Sequence, residues 1–214
     1  MTKAPARILY IQPNSEVGGS DLALLRMVEA LDQTLYQPAV LLPKDGPLVP
    51  RLRAAGAQVL FLPMIQLRTL PSLSYQSRYL AQFWFTVARM RKLIRDERID
   101  LVHSNSLYAL YGGFAALLAG RPHVWHVREI PPQIPLARAA LGRMVLSLSR
   151  LVISMTLACT RGLIAAPAHA KVEILSEGLD LATWTRGPGL RDIRGELQLA
   201  ADTPVVGFVA RLDP

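Results

Sequence analysis

Nine consecutive residues of this 214-residue chain, Arg121-Pro122-His123-Val124-Trp125-His126-Val127-Arg128-Glu129, are of types that could do chemistry. Val124 to Val127 reads as a short buried strand that delivers His126, and then an Arg-Glu pair, to its carboxyl end. In an open parallel α/β sheet, ligands bind in the crevice just past the carboxyl ends of the strands. An imidazole placed there can exchange a proton near neutral pH. Taken alone, the same residues lean towards a structural histidine that bonds a backbone carbonyl at a strand end.

A second candidate lies near the amino terminus. Ile8 to Ile11 is a short apolar run that fits a buried first strand, and Gln12 to Ser20 follows as a loop containing Gly18-Gly19. Asp21 to Leu31 has helical spacing, with Leu24, Leu25, Val28 and Leu31 on one face and Ser20 placed to cap it. A strand, a glycine pair and a helix start let a backbone approach an anion, because glycine removes the Cβ and the first amides of the helix point outward. An ordinary tight turn gives the same pattern. No Gly-x-Gly-x-x-Gly lies between residues 8 and 25 and no Gly-Lys-Ser/Thr follows, so the dinucleotide fingerprint and the Walker A loop are both excluded.

These groups need a scaffold, and strand-like runs alternate with helix-like ones along the chain. Strands are expected at residues 38–43, 57–62, 99–103, 151–154, 171–175 and 204–211, besides the two already named, and helices at 48–55, 78–98, 107–119, 136–150, 156–164 and 190–199. In the helix expected over 78–98, Leu80, Phe83, Trp84, Val87 and Ile94 share one face, while Arg78, Arg89, Lys92 and Arg95 occupy the polar side. Residues 63–77 read as a loop, the prolines of 130–135 exclude regular structure there, and Gly112-Gly113 implies close packing on the sheet. This alternation predicts an α/β, doubly wound parallel, Rossmann-like sheet. The expected domains are residues 1–185, a linker with a short helix over 186–203, and over 204–214 the first strand of a truncated second domain.

Composition narrows the partners. The chain is 51% hydrophobic and 19% charged, with net charge +8. Of its cations 20 are arginine and 4 lysine, and residues 121–161 carry six arginines against Glu129 alone. Such fields suit phosphate-bearing substrates or an anionic membrane face. Nucleic acid has only the charge behind it, since aromatics are not interleaved with the basic residues as stacking platforms. The single cysteine, Cys159, excludes an internal disulfide and fits a small core residue in a reducing compartment. No signal peptide is legible and the longest charge-free stretch, Ser104 to Gly120, is short for a spanning helix. The expectation is a cytoplasmic protein, with peripheral contact at the inner face of the membrane.

The order of features resembles the amino-terminal half of family 4 retaining glycosyltransferases, which have the two-domain GT-B fold. It rests on Gly18-Gly19 after the first strand, Lys44-Asp45-Gly46-Pro47 and Gly56, Asp100 to Ser104, Val124 to Glu129, Val152 to Ser154, Glu177-Gly178-Leu179-Asp180, and Val206 to Pro214. Each is weak alone, but together they run in the right order over essentially the whole chain. The resemblance implies transfer of a sugar from a nucleotide-diphosphate donor to an acceptor, with retention. It assigns His126 as the active-site histidine that contacts the donor sugar, Gly18 and Gly19 as the loop facing the donor phosphates, and Arg211 as the first member of a diphosphate clamp. Fixed cations of that kind do the work of a metal, so no metal cofactor is expected. Ser20, His103, Asn105, Arg128 and Glu129 are the acceptor-cleft candidates. A carbohydrate or lipid-linked acceptor in cell envelope polysaccharide synthesis is the expected partner.

Three features depart from the family pattern. Glu177 stands where asparagine is usual, Ala210 replaces a common glycine, and the sequence stops at Pro214 before the clamp lysine. As given, the polypeptide is therefore expected to be inactive in transfer. The alternative is a non-enzymatic Rossmann-like domain that binds an acceptor or a protein partner.

Overall fold

The computed structural model describes residues 4–65, 73–164, 170–178, 192–200 and 202–207. The chain divides into two units, Met1–Glu177 and Gly178–Pro214. Among the described residues of the first, seven strands alternate with six helices in the order β1 (Ala6–Ile11), α1 (Gly19–Glu29), β2 (Tyr36–Leu42), α2 (Leu48–Ala54), β3 (Gln58–Phe61), α3 (Leu73–Asp96), β4 (Leu101–Ser104), α4 (Leu110–Ala119), β5 (His123–Val127), α5 (Pro135–Leu148), β6 (Leu151–Ser154), α6 (Leu157–Leu163) and β7 (Val172–Ile174). The second unit contains α7 (Ile193–Glu196). Residues 204–207, expected to open an eighth strand, are not in strand conformation; residues 208–214, Arg211 among them, lie outside the described residues.

All strand pairs are parallel and the spatial order is β3-β2-β1-β4-β5-β6-β7. The chain winds outward from β1 to β3, returns through α3, and winds the other way from β4. The doubly wound expectation therefore holds, and the switch point lies between β1 and β4. A sheet covered on both faces needs apolar side chains on both, which is why its central strands are continuous apolar runs rather than alternating ones. Ile8 and Tyr10 pack with Leu24, Val28 and Leu52 under α1 and α2. Leu9 and Ile11 point the other way, into a larger core with Phe83, Val87, Ala115, Trp125, Val145 and Cys159.

Two local expectations are corrected. Ser20 lies inside α1 and the N-cap is Gly18, in extended conformation, with Asp21 at the third helical position accepting from the Gly18 amide. Helix α3 begins at Leu73, within the stretch expected to be irregular, and its buried face is Tyr79, Phe83, Val87, Met90 and Ile94. Leu80 and Trp84, expected on that face, are 68% and 60% exposed. Apolarity does not by itself fix the rotation of a helix; packing on α4 does. Phe83 stacks on Tyr111 at 4.9 Å, whereas Trp84 reaches Phe114 only edge-on from the solvent side.

Gly112 and Gly113 are required by α4 lying close on the sheet. A Cβ on Gly112 would collide with Ser104 Oγ and sit 2.7 Å from Ile11 Cδ1, and one on Gly113 would meet the Trp125 ring at 3.1 Å. Gly120 ends the same helix with φ of 66°, the left-handed conformation that glycine adopts without strain.

Candidate functional site

The loops after β1, β4, β5 and β7 converge at the carboxyl edge of the sheet. Register carries His103 of β4 beside Tyr10 of β1 and Val124 of β5, so His103 and His126 share one face of the sheet. Their ring centroids are 5.5 Å apart. Both are buried, and the Nε2 atom of each has no hydrogen-bond partner. His123, three positions before His126 on the same strand, points to the other face of the sheet. There Ser104 Oγ approaches its Nε2 at 2.9 Å and Ser149 Oγ its Nδ1 at 3.4 Å.

Arg128 is the centre of the site. Its side chain is only 5% exposed. Nε donates to Asn105 Oδ1 at 2.9 Å, Nη2 lies 3.4 Å from His126 Nδ1, and Nη1 pairs with the Glu177 carboxylate by charge rather than by a well-directed hydrogen bond. Asn105 Nδ2 donates in turn to Gln12 Oε1 at 2.7 Å and to the Ser20 carbonyl at 3.2 Å. Gln12 Nε2 donates to Asp21 Oδ1 and lies 3.4 Å from Ser20 Oγ. The Gly18 amide donates to Asp21 Oδ2 at 2.8 Å. A single polar chain thus joins the start of α1 to His126.

This geometry sorts the expected residues. His126, His103, Asn105, Arg128, Ser20 and Gly18 come together. The Gly18 amide is committed to Asp21, and a Cβ on Gly18 would lie 3.1 Å from that carboxylate; a Cβ on Gly19 would point into open space. Internal packing therefore leaves Gly19 free to be approached by a ligand. Glu129 faces inward to the β4–α4 loop: its oxygens accept from Ser106 Oγ at 2.5 Å and Leu107 N at 2.8 Å. It braces the loop that carries Asn105. Arg211 lies outside the described residues.

Sequence reading missed Gln12 and Asp21, and saw Glu177 only as a departure. Asp21, three positions after Gly18, carried the signal of a carboxylate capping a helix start. Gln12 carried none beyond following a strand.

Electrostatics correct one expectation outright. Burial, reinforced by the adjacent Arg128 charge, pushes the His126 pKa down to about 3, so its imidazole is neutral and exchanges no proton near pH 7. Burial lowers His123 to about 4 and holds His103 well below the usual histidine value. Burial also lowers Arg128 to about 10, opposed by Glu129, and it stays a cation. Burial raises Asp21, opposed by its bonds from Gly18 and Gln12.

A separate open cleft of about 630 Å³ lies over the carboxyl ends of β1 to β3. Asn14 and Glu16, Lys44, Met64 and Ile65, and Arg78 and Gln82 line it. Among the described residues no group of three or more histidine, cysteine or acidic side chains could hold a metal ion.

The family model described as a glycosyl transferase 4-like domain matches residues 18–178, from the α1 glycines to the turn after β7. The chain belongs to this glycosyl transferase 4-like family. None of the curated proteins matches it in sequence. Solved structures resemble the fold of this glycosyl transferase 4-like domain. Anabaena Alr3699/HepE in complex with UDP-glucose has a TM-score of 0.64 at 22% identity, over 90% of this chain and 50% of that one. A glycosyltransferase from Rickettsia africae has a TM-score of 0.63 at 14% identity, over 94% and 51%. Acinetobacter baumannii MurG has a TM-score of 0.54 at 16% identity, over 78% and 44%. The chain thus spans about half the length of these proteins. The expected likeness to the amino-terminal half of a GT-B glycosyltransferase is borne out in family and fold.

Proposed function

We propose that this domain forms one wall of the active site of a glycosyltransferase that moves a sugar from a nucleotide-diphosphate donor to an acceptor, with retention. The observation that carries the reading is the convergence of His126 and the α1 start at the switch point of a family-typical sheet, joined by one buried hydrogen-bonded chain. The free Nε2 of His126 faces the bound sugar, and the open side of Gly19 faces the donor phosphates at a helix amino terminus, where amides and dipole favour an anion. Arg211 contributes the first clamp cation, with no resident metal. UDP-glucose, seen bound to the Anabaena structure, is the first donor to test.

The acceptor is a carbohydrate or lipid-linked carbohydrate. Two features support contact with an anionic membrane. Leu80, Trp84 and Phe85 are exposed on α3, with the Arg89 guanidinium 5.3 Å over the Phe85 ring, and Leu117 and Leu118 are exposed on α4. A surface with apolar groups to insert and cations beside them suits a headgroup layer. Among the described residues no helix is long and apolar enough to cross a membrane; the contact we propose is a peripheral one at the inner face.

The test is transfer of labelled glucose from UDP-glucose to membrane lipid or polysaccharide by the protein carrying this domain. Incorporation that depends on His126 supports the proposal. Donor binding without transfer to any such acceptor favours the non-enzymatic binding domain instead.

A further inference from the structure

We infer that Arg128 is a positioning residue that fixes His126 as the tautomer protonated at Nε2, so that the imidazole serves a ligand as a hydrogen-bond donor and not as a base. The proposal deepens the transferase reading and rests on it only for the identity of that ligand.

The first step is the chemistry of the pair. A guanidinium has five N–H groups and no lone pair, so it can only donate. Arg128 Nη2 lies 3.4 Å from His126 Nδ1. A proton on Nδ1 would set N–H against N–H, so Nδ1 accepts and the single proton of the neutral ring resides on Nε2. Nε2 is the buried atom without a partner. Buried donors are almost always satisfied, and the exceptions concentrate at sites that complete themselves with a ligand or water. The ligand atom that meets Nε2–H must then be an acceptor oxygen, on a sugar hydroxyl or a phosphoryl group.

The second step is what holds Arg128. Its Nε bonds Asn105, which bonds Gln12, which bonds Asp21, which accepts the Gly18 amide. One end of the chain only donates and the carboxylate at the other end only accepts. Each amide between them therefore has one allowed orientation, because turning either would oppose donor to donor and acceptor to acceptor. Glu177 supplies the counter-charge on Nη1. The guanidinium is held by directed contacts at Nε and Nη2, with the Glu177 charge beside Nη1, and its plane sets the ring of His126. The same chain sets the first turn of α1, so the two expected donor contacts share one support.

The experiment is a long-range proton–nitrogen correlation spectrum of the chain labelled with 15N in histidine, with the His126 signals identified by their loss in His126→Asn. The expected result is an unprotonated Nδ1 and a protonated Nε2, unchanged from pH 8 to pH 5. In Arg128→Gln, whose amide can present oxygen as well as N–H, the ring is expected to show a mixture of tautomers. Arg128→Lys, which keeps a donor and a charge, restores the single tautomer. A wild-type ring protonated at Nδ1 overturns the proposal without any variant, and so does a tautomer unmoved in a folded Arg128→Gln. Addition of UDP-glucose tests the transferase reading separately. A shifted Nε2–H signal supports that reading, and an unmoved one counts against it while the tautomer assignment stands.

Discussion

Glu177, at the end of the first unit, lies against the guanidinium of Arg128, some fifty positions earlier in the chain. The departure from asparagine at that turn thereby acquires a physical role. Arg128 is a buried cation, and a buried charge without a partner costs several kcal/mol. Glu129 follows it in sequence, but both its oxygens are taken up by the β4–α4 loop. Glu177 is 31% exposed along its side chain, so it compensates the charge from the rim.

Replacing Glu177 with asparagine is therefore expected to destabilise the domain by roughly 1–3 kcal/mol, less than a fully orphaned charge because Glu129 remains adjacent. Urea denaturation of the two proteins measures it. Equal midpoints would show that the ion pair contributes nothing.

His126→Ala in the protein carrying this domain is expected to lower kcat by on the order of 10²-fold, the usual loss when one preorganised donor is removed, with donor Kd nearly unchanged. Steady-state kinetics and UDP-glucose titration separate the two. Unaltered kcat would remove His126 from the site.

Acid should weaken the fold before the carboxylates titrate. His126 and His123 have folded pKa values depressed to about 3 and about 4. Between those values and the ordinary histidine value of about 6.5, the unfolded chain binds protons that the folded one refuses, so stability is full above pH 6.5 and falls as pH drops. For His123 alone the loss on reaching pH 4 is roughly 3 kcal/mol. Denaturation midpoints at pH 7.5, 6 and 5 read the slope, which His123→Asn should flatten. A pH-independent midpoint over that range would contradict the burial of neutral histidines.

Asp21→Asn is expected to cost about 1–3 kcal/mol, because the Gly18 amide and the Gln12 amide nitrogen each point at a separate carboxylate oxygen. An asparagine supplies one acceptor and turns a donor towards the other. The spectrum of His126 should shift along with stability, since the same chain supports Arg128. A loss of stability with an unchanged His126 environment would separate the helix cap from the chain.

Leu80→Glu combined with Trp84→Glu should abolish sedimentation with vesicles containing anionic lipid while leaving the thermal midpoint nearly unchanged, since both side chains are exposed. Undiminished vesicle binding would place any membrane contact elsewhere.

Much of the fold was legible because its determinants are local. Buried parallel strands need continuous apolar runs such as Leu9 to Ile11 and Val124 to Val127, and helices need their periodic stripe and a stop such as Gly120. Those local signals fixed the alternation of elements, the order in which they occur, the place of His126 at a strand end and the close approach at Gly112. Rotation of α3 escaped them: Leu80 and Phe83 are equally apolar in sequence, and only contact with Tyr111 decides which one is buried. The site escaped them for the same reason. Asp21, Gln12, Asn105, Arg128 and Glu177 come from five separate loops or element ends, and nothing in their spacing announces that they form one chain. Their charge states follow from exclusion of water, which belongs to the packed sheet and not to any residue. The sequence determined that a histidine would stand at the carboxyl end of a central strand; burial and Arg128 decided that it would be neutral there.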